Sequence, residues 1–459
     1  MHTIPFRPVS GPSGLPLLGN LPAFRRDPLA FLAHLRDDCG DVVGWSLGSK
    51  RLTLLSHPDH IAELFGGSQD LFPPVDISWV FRQLVGESVI LSQGADWRRK
   101  RGLVQPSVRP RQVRGYAATM VECALDAADG WADGHRIDVE GEMNLLTQRI
   151  VVRTLFGNDL GDRARTLAEA MEVTALELGA ELRGIGMLLP DWVRTPARRR
   201  VLAAIATVDA EIARLIRARQ EEAAEAGTGD DVLSTLLAAE DEEGRRLTPR
   251  QVRDEAVTLW AAGHETTSVG LTWCWYLLSS APEVRDRLGE ELDTVLGGRP
   301  PTFDDYDRLT WTKQIVKEAL RLYPPAWILI PRITREGAVL GGTPLPPGTM
   351  ICCSPWSTHR DPRWFPDPDA FRPERWDPHR KDDASEQAWF PFSGGARTCL
   401  GARFALVEMA LVIATLAQRF HLDIDPGEVA PAAGLQLRPG SELCATLRDR
   451  ETSLSPSGT

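Results

Sequence analysis

Cys399 stands in "FSGGARTCLG", residues 392–401, with Phe392 opening the stretch, Gly394, Gly395 and Gly401 around the thiol and Arg397 two places before it. The apolar pattern "LGARFALVEMALVIATLAQRF" begins directly after it, so the thiol lies at the N-terminus of a predicted helix. Unpaired N–H groups and the helix dipole stabilise a thiolate there, and a thiolate can ligate a metal. A free cysteine is more often a small buried hydrophobe. The glycines argue otherwise, because glycine permits close approach, and a flat, bulky group is expected against this loop.

A second group is "AGHETT", residues 262–267. Mid-helix threonines commonly bond back to the preceding turn, and an isolated Glu265 would ordinarily be solvated. Small Ala262 and Gly263 followed by Glu265 and Thr266 nevertheless make a dent with proton donors beside it, the parts that acid–base work requires. Gly263 costs about 1 kcal/mol against alanine in mid-helix, so it needs a reason. His264 reads as structural. Trp97 and Arg101 in "DWRRKR" are four apart, on one helical face. Guanidinium groups grip carboxylates well, and Arg332 and Arg397 are further candidates for that work. Glu318 and Arg321 in "EALR" share a helical face, and Arg375 follows in a proline-rich coil. Together the three would pin that coil to the helix.

Long elements must hold these groups. The clearest helix starts at Thr248, a good N-cap, with Pro249 at the first helical position, and should run to about Ser280. Helical periodicity dominates from about 110 to 320, as in "RRRVLAAIATVDAEIARLIRARQEEAAEA", and "EAGTGDD" (225–231) reads as a loop. "DVVGWSLGSKRLTLLS" (41–56) alternates like a hairpin. After residue 322 the chain becomes proline-rich, with coil and short strands expected before the last helix.

The 459 residues carry 43% hydrophobic and 25% charged side chains, the composition of an ordinary globular protein. A formal charge of −11 argues against a general nucleic-acid binder. The seven cysteines are scattered and include no C-x-x-C pair, so neither a disulfide framework nor a structural zinc site is expected, and a reducing cytoplasm fits. No stretch of about 20 apolar residues could span a membrane, and no secretory signal is evident at the start.

These pieces, in this order, resemble the cytochrome P-450 family of haem-thiolate monooxygenases. Its haem-loop pattern F-x-x-G-x-R-x-C-x-G is matched by Phe392, Gly395, Arg397, Cys399 and Gly401, and its distal-helix pattern by Ala262, Gly263, Glu265 and Thr266. The E-x-x-R pair is matched by Glu318 and Arg321, the coil arginine by Arg375, and the tryptophan–arginine pair by Trp97 and Arg101. The resemblance implies a mainly α fold with a smaller β portion, in one domain over residues 1–459. Residues 1–25 would be an extended lead-in and 450–459 a disordered tail. It implies haem b as cofactor with Cys399 as iron ligand, a proton relay at Glu265 and Thr266, and propionates held by Trp97, Arg101, Arg332 and Arg397. A thiolate ligand pushes electron density toward O–O cleavage.

The implied reaction inserts one atom of O2 into a compact hydrophobic substrate. A terpenoid or other secondary-metabolite scaffold is favoured over a fatty acid, because "LFPPVDISWVFRQLVG" (71–86), Trp260 and "PPAWILIP" (324–331) would give an aliphatic and aromatic lining. Electrons would pass from NAD(P)H through a ferredoxin and its reductase, or a flavodoxin, to a soluble cytoplasmic monomer. The run Arg98, Arg99, Lys100, Arg101, Arg109, Arg111 and Arg114, free of Asp and Glu, is read as a patch that steers an acidic ferredoxin. Rival readings are a haem-thiolate peroxygenase, isomerase or dehydratase acting on a lipid, and a non-catalytic haem sensor. The Glu265–Thr266 pair speaks against the enzyme rivals, which need no proton relay, and against the sensor.

Overall fold

A computed structural model describes residues 9–75, 78–157, 162–183, 189–226, 229–379, 383–427 and 429–450. Its axis is a 31-residue helix, Pro249–Ser279, roughly 46 Å long. Thr248 and Gln251 close a reciprocal capping box at its start, with Pro249 in the first turn. Helix Val139–Phe156 packs along it more extensively than any other element, and helices Pro196–Ala226, Thr310–Leu322 and Ala402–Leu416 also touch it. Most buried aliphatic side chains form one core among these helices.

The β portion lies to one side. Val42–Leu47 and Lys50–Leu55 form the expected hairpin, with Val42 opposite Leu55 and Leu47 opposite Lys50 around a left-handed Gly48. Met350–Cys353 continues the sheet in parallel and Arg332–Ile333 follows it antiparallel. The sheet therefore carries Arg332 on its edge strand, where its backbone also bridges to Pro74.

The joint between Thr310–Leu322 and the coil forms as the sequence suggests. Glu318 and Arg321 are fully buried, 2.8 Å apart, and Arg375 Nε reaches Glu318 Oε1 at 3.2 Å. The indole N–H of Trp376 donates to the other carboxylate oxygen at 2.9 Å, and Arg321 donates to the carbonyls of His359, Pro368 and Ala370.

Two boundaries differ from the sequence reading. Of the lead-in read over 1–25, residues 1–8 lie outside the described residues, Val9–Ser10 is a short strand, and the chain then turns back on itself between Leu15 and Gly19, with Leu17 and Gly19 left-handed. Leu21–Arg26 is helical, with a proline in its first turn and Arg25 and Arg26 in its last, where they complement the dipole. At the other end, Arg450 is anchored on Asp293 at 2.6 Å rather than free. Residues 451–459 lie outside the described residues, as do residues 227 and 228 of the loop read over 225–231. Of that stretch, the first two residues still belong to the preceding helix.

Candidate active site

The loop before Ala402–Leu416 is a tight double turn. The Cys399 N–H donates to the Phe392 carbonyl at 2.9 Å, and Ser393 and Gly395 are both left-handed. At Gly395 a Cβ would sit 1.9 Å from the Phe65 carbonyl oxygen, and at Gly394 one would sit 2.4 Å from the Phe65 ring. These two glycines admit helix Pro58–Gly66 rather than a flat group, which corrects the sequence reading for them. Gly401 is different: a Cβ there would meet nothing within 4 Å, and the residue borders the large interior cavity. Cys399 is open to that cavity and otherwise enclosed by protein. Burial pushes its thiol up, while the Gly401 N–H, the Arg101 guanidinium and the Ala402 N–H favour the thiolate.

Three guanidinium groups line the same cavity. Arg101 donates to the Thr398 carbonyl at 2.9 Å, and Arg397 donates to the Ser92 carbonyl at 2.8 Å and lies 4.4 Å over the Trp97 ring. Arg332 comes from the sheet edge. Nη1 of Arg332 and Nε of Arg397 are buried without a partner among the described residues. Burial, then repulsion from Arg332 and Arg101, brings Arg397 down to about 10, and burial lowers Arg332 and Arg101 as well. Clustered cations with spare donors favour a multiply charged anion. Two carboxylates on the edge of a flat group that rests by Gly401 and Cys399 fit this cradle, and the two propionates of haem are such a pair.

The central helix forms the opposite wall. Thr266 Oγ1 donates to the Ala262 carbonyl at 2.6 Å, so the back-bond to the previous turn is real, yet both residues border the cavity. Gly263 makes room chiefly for Val151 of Val139–Phe156, whose Cγ2 would lie 3.3 Å from a Cβ there. Its reason is therefore close helix packing as much as a dent. Glu265 is buried and lies 3.4 Å from Arg438, which also holds Glu140 at 2.9 Å. Burial pushes the Glu265 carboxyl up, Arg438 opposes the shift, and Glu140 and Glu172 add to it. An acid that keeps its proton to higher pH than usual is a proton donor within reach of the cavity. His264 points away from it, to Asn144 Oδ1 at 3.2 Å on the neighbouring helix.

The cavity, about 600 Å³, joins all these groups. Phe81, Leu84 and Val85 line it from the first segment named in the sequence, and Trp327, Ile328 and Leu329 from the third. Trp260 does not line it. Two places beyond Thr258, it faces the other side of the helix and is fully buried in the core. Sequence reasoning missed Arg438, Thr258, Met171, Leu178 and Gln436. None has a motif around it; Gln436 reaches the site from the turn between strands Pro431–Ala433 and Leu437–Pro439, and Arg438 from the second of those strands.

The basic run from 98 to 114 is not one free patch. Arg98 pairs with Asp70 at 3.2 Å, Arg99 with Asp241 at 2.6 Å, Lys100 with Asp96 at 2.7 Å and Arg114 with Asp304 at 2.8 Å, while Arg101 serves the cavity. Acids outside the run, three of them from distant segments, neutralise much of what looked uncompensated along the chain.

A fold of this kind, with a thiol at a helix start facing a small-residue and hydroxyl stripe across an enclosed cavity, defines a haem-thiolate oxygenase. A family model for cytochrome P-450 matches residues 9–436, and the chain belongs to that family. Among its relatives are two proteins of Streptomyces melanosporofaciens. Cyclooctatin synthase is 36% identical over 96% of this chain and 94% of that protein. Cyclooctat-9-en-7-ol 5-monooxygenase is 37% identical over 92% and 91%. Pentalenene oxygenase of Streptomyces avermitilis is 34% identical over 92% and 93%. The protein is thus a cytochrome P-450 monooxygenase that uses haem, and no helix among its described residues is long and apolar enough to cross a membrane.

Proposed function

We propose that this enzyme hydroxylates a polycyclic terpenoid, with Cys399 as the iron ligand and a ferredoxin as electron donor. The observation that carries the reading is the largely apolar cavity that joins the Cys399 thiol to Ala262 and Thr266. Relatives named for oxygenation of terpenoid skeletons support the substrate class. Haem supplies the activation of O2 when bound. Arg101, Arg332 and Arg397 would hold its propionates, with Trp97 packed beneath Arg397 and Phe392 and Gly401 shaping the loop beneath the ring. Glu265 holds a proton beside the cavity, and the Thr266 hydroxyl, anchored on Ala262, presents its lone pairs to pass that proton on. Glu140 and Arg438 link Glu265 towards the outside, so the proton can be replaced. The largely aliphatic and aromatic walls exclude water and hold the substrate chiefly by apolar contact. The cytoplasm is our reading of its compartment, supported by seven free cysteines, and we take the chain as a monomer.

Docking of an acidic ferredoxin falls to Arg109, Arg111 and Arg403, which have no carboxylate partner among the described residues. Reversing these three to Glu should slow reduction at low salt without changing substrate affinity.

The test is turnover of a panel of cyclic terpenes with NADH, ferredoxin and reductase under isotope-labelled dioxygen. Label in a hydroxylated product is expected, and Thr266→Ala should bind the same terpene yet release peroxide in place of product. Turnover of fatty acids alone, or full product yield per NADH in Thr266→Ala, would overturn the substrate class or the relay respectively.

A further inference from the structure

Five residues that line the cavity each carry a buried polar atom with no conventional hydrogen-bond partner among the described residues: Trp45 Nε1, Thr258 Oγ1, Arg332 Nη1, Arg397 Nε and Gln436 Oε1. The two guanidinium atoms belong to the anion cradle described above. The Trp45 N–H faces the Cys352 sulfur, a weak acceptor. Thr258 and Gln436 remain. An unpaired hydroxyl or amide oxygen in an apolar wall is unfavourable, and neither has a part in oxygen chemistry.

Their placement says what completes them. Thr258, Ala262 and Thr266 stand at intervals of four on one face of the central helix. Thr258 is 3% exposed and lies two helical turns, about 12 Å, from Thr266. Gln436 enters from the turn that closes the C-terminal hairpin, whose flanking residues are held in place: the Trp327 indole donates to the Gly434 carbonyl at 3.0 Å and the Trp273 indole to that of Leu437 at 2.7 Å. Gln436 is therefore carried on a fixed turn at the cavity wall. Gln436 Oε1 needs a donor, and Thr258 Oγ can both give and take a proton. A hydrocarbon offers neither.

We propose that Thr258 and Gln436 orient the substrate by hydrogen bonding, and that the terpenoid accepted by this enzyme already carries a hydroxyl group remote from the carbon to be oxidised. The separation along the helix suits a skeleton of several fused rings, held by its hydroxyl at one end and oxidised at the other. In a reaction sequence the enzyme would act after the step that installs that hydroxyl, either an earlier hydroxylation or capture of a cyclisation carbocation by water. The inference rests on the terpenoid reading of the cavity.

Two matched pairs test it: cedrol with cedrane, and 5α-androstan-3β-ol with 5α-androstane. Each is titrated against haem-loaded enzyme and followed by its spectral shift. The wild type should bind at least one alcohol about three- to tenfold more tightly than its hydrocarbon, the yield of one buried hydrogen bond. Thr258→Val should abolish that preference, Gln436→Leu should reduce it, and Thr258→Ser should retain it, with haem content unchanged in all three. Equal affinities within both pairs, or a preference that survives Thr258→Val and Gln436→Leu combined, would overturn this inference and leave the terpenoid reading standing. No shift with any of the four compounds would overturn both.

Discussion

Two buried arginine clusters, some way apart in the chain, have opposite character. Around Glu318 every charge is answered from within the protein: Arg321 and Arg375 bond its carboxylate, and the remaining guanidinium hydrogens of Arg321 meet three carbonyls. Around the cavity, Arg101, Arg332 and Arg397 face one another with no carboxylate between them and with donors to spare. The first cluster is a fixed joint. The second is complete only with an anion from outside, and that difference separates a structural network from a binding site.

Removing a member should therefore do opposite things in the two places. The largest effect is expected from Glu318→Ala. It leaves two buried guanidinium groups unpaired, a loss of about 3–5 kcal/mol, and expression should yield little soluble haem-loaded protein. Normal yield and full haem occupancy would erase the distinction. Arg397→Leu should leave the haem-free protein as stable as the wild type or slightly more so, since mutual repulsion is relieved, yet haem should transfer to apomyoglobin about tenfold faster for the loss of a charge-assisted bond. A fall in the Tm of the haem-free protein like that of Glu318→Ala would show the second cluster to be structural too.

Glu255, fully buried on the first turns of the central helix, is an intermediate case. One of its oxygens accepts the Val89 N–H at 2.9 Å and the other has no partner among the described residues. Burial raises its carboxyl from 4.5 to about 8, so between those values the folded protein binds one proton more than the unfolded chain. Stability should then fall as pH rises through that window, by no more than about 1.4 kcal/mol per pH unit. Glu255→Gln should flatten the slope in urea denaturation followed across pH, and an unaltered slope would show that Glu255 is ionised in the fold.

How much the sequence revealed follows the same division. The Cys399 loop, the Glu265–Thr266 pair and Glu318–Arg321 are legible because backbone geometry and local spacing tie their residues together within a few positions. The Pro249–Ser279 helix is legible through its cap and period. Arg438, Thr258 and Gln436 were not, because each depends on contacts across a hundred or more residues and any of several side chains would suit the local structure. Gly394 and Gly395 were misread for a related reason. The need for glycine was plain, but the neighbour imposing it, Phe65, lies more than three hundred residues away. The basic run failed likewise, since its neutralising acids Asp70, Asp241 and Asp304 are distant in sequence.

The central claim is that Cys399 is the thiolate that holds iron in this cavity. The most direct measurement is the optical spectrum of the reduced, CO-bound protein for the wild type and for Cys399→His. The wild type should show the red-shifted Soret band diagnostic of thiolate ligation, and Cys399→His should retain haem but move the band to the position typical of imidazole ligation. A thiolate-type band that persists in Cys399→His, or is absent from the wild type, would contradict the account.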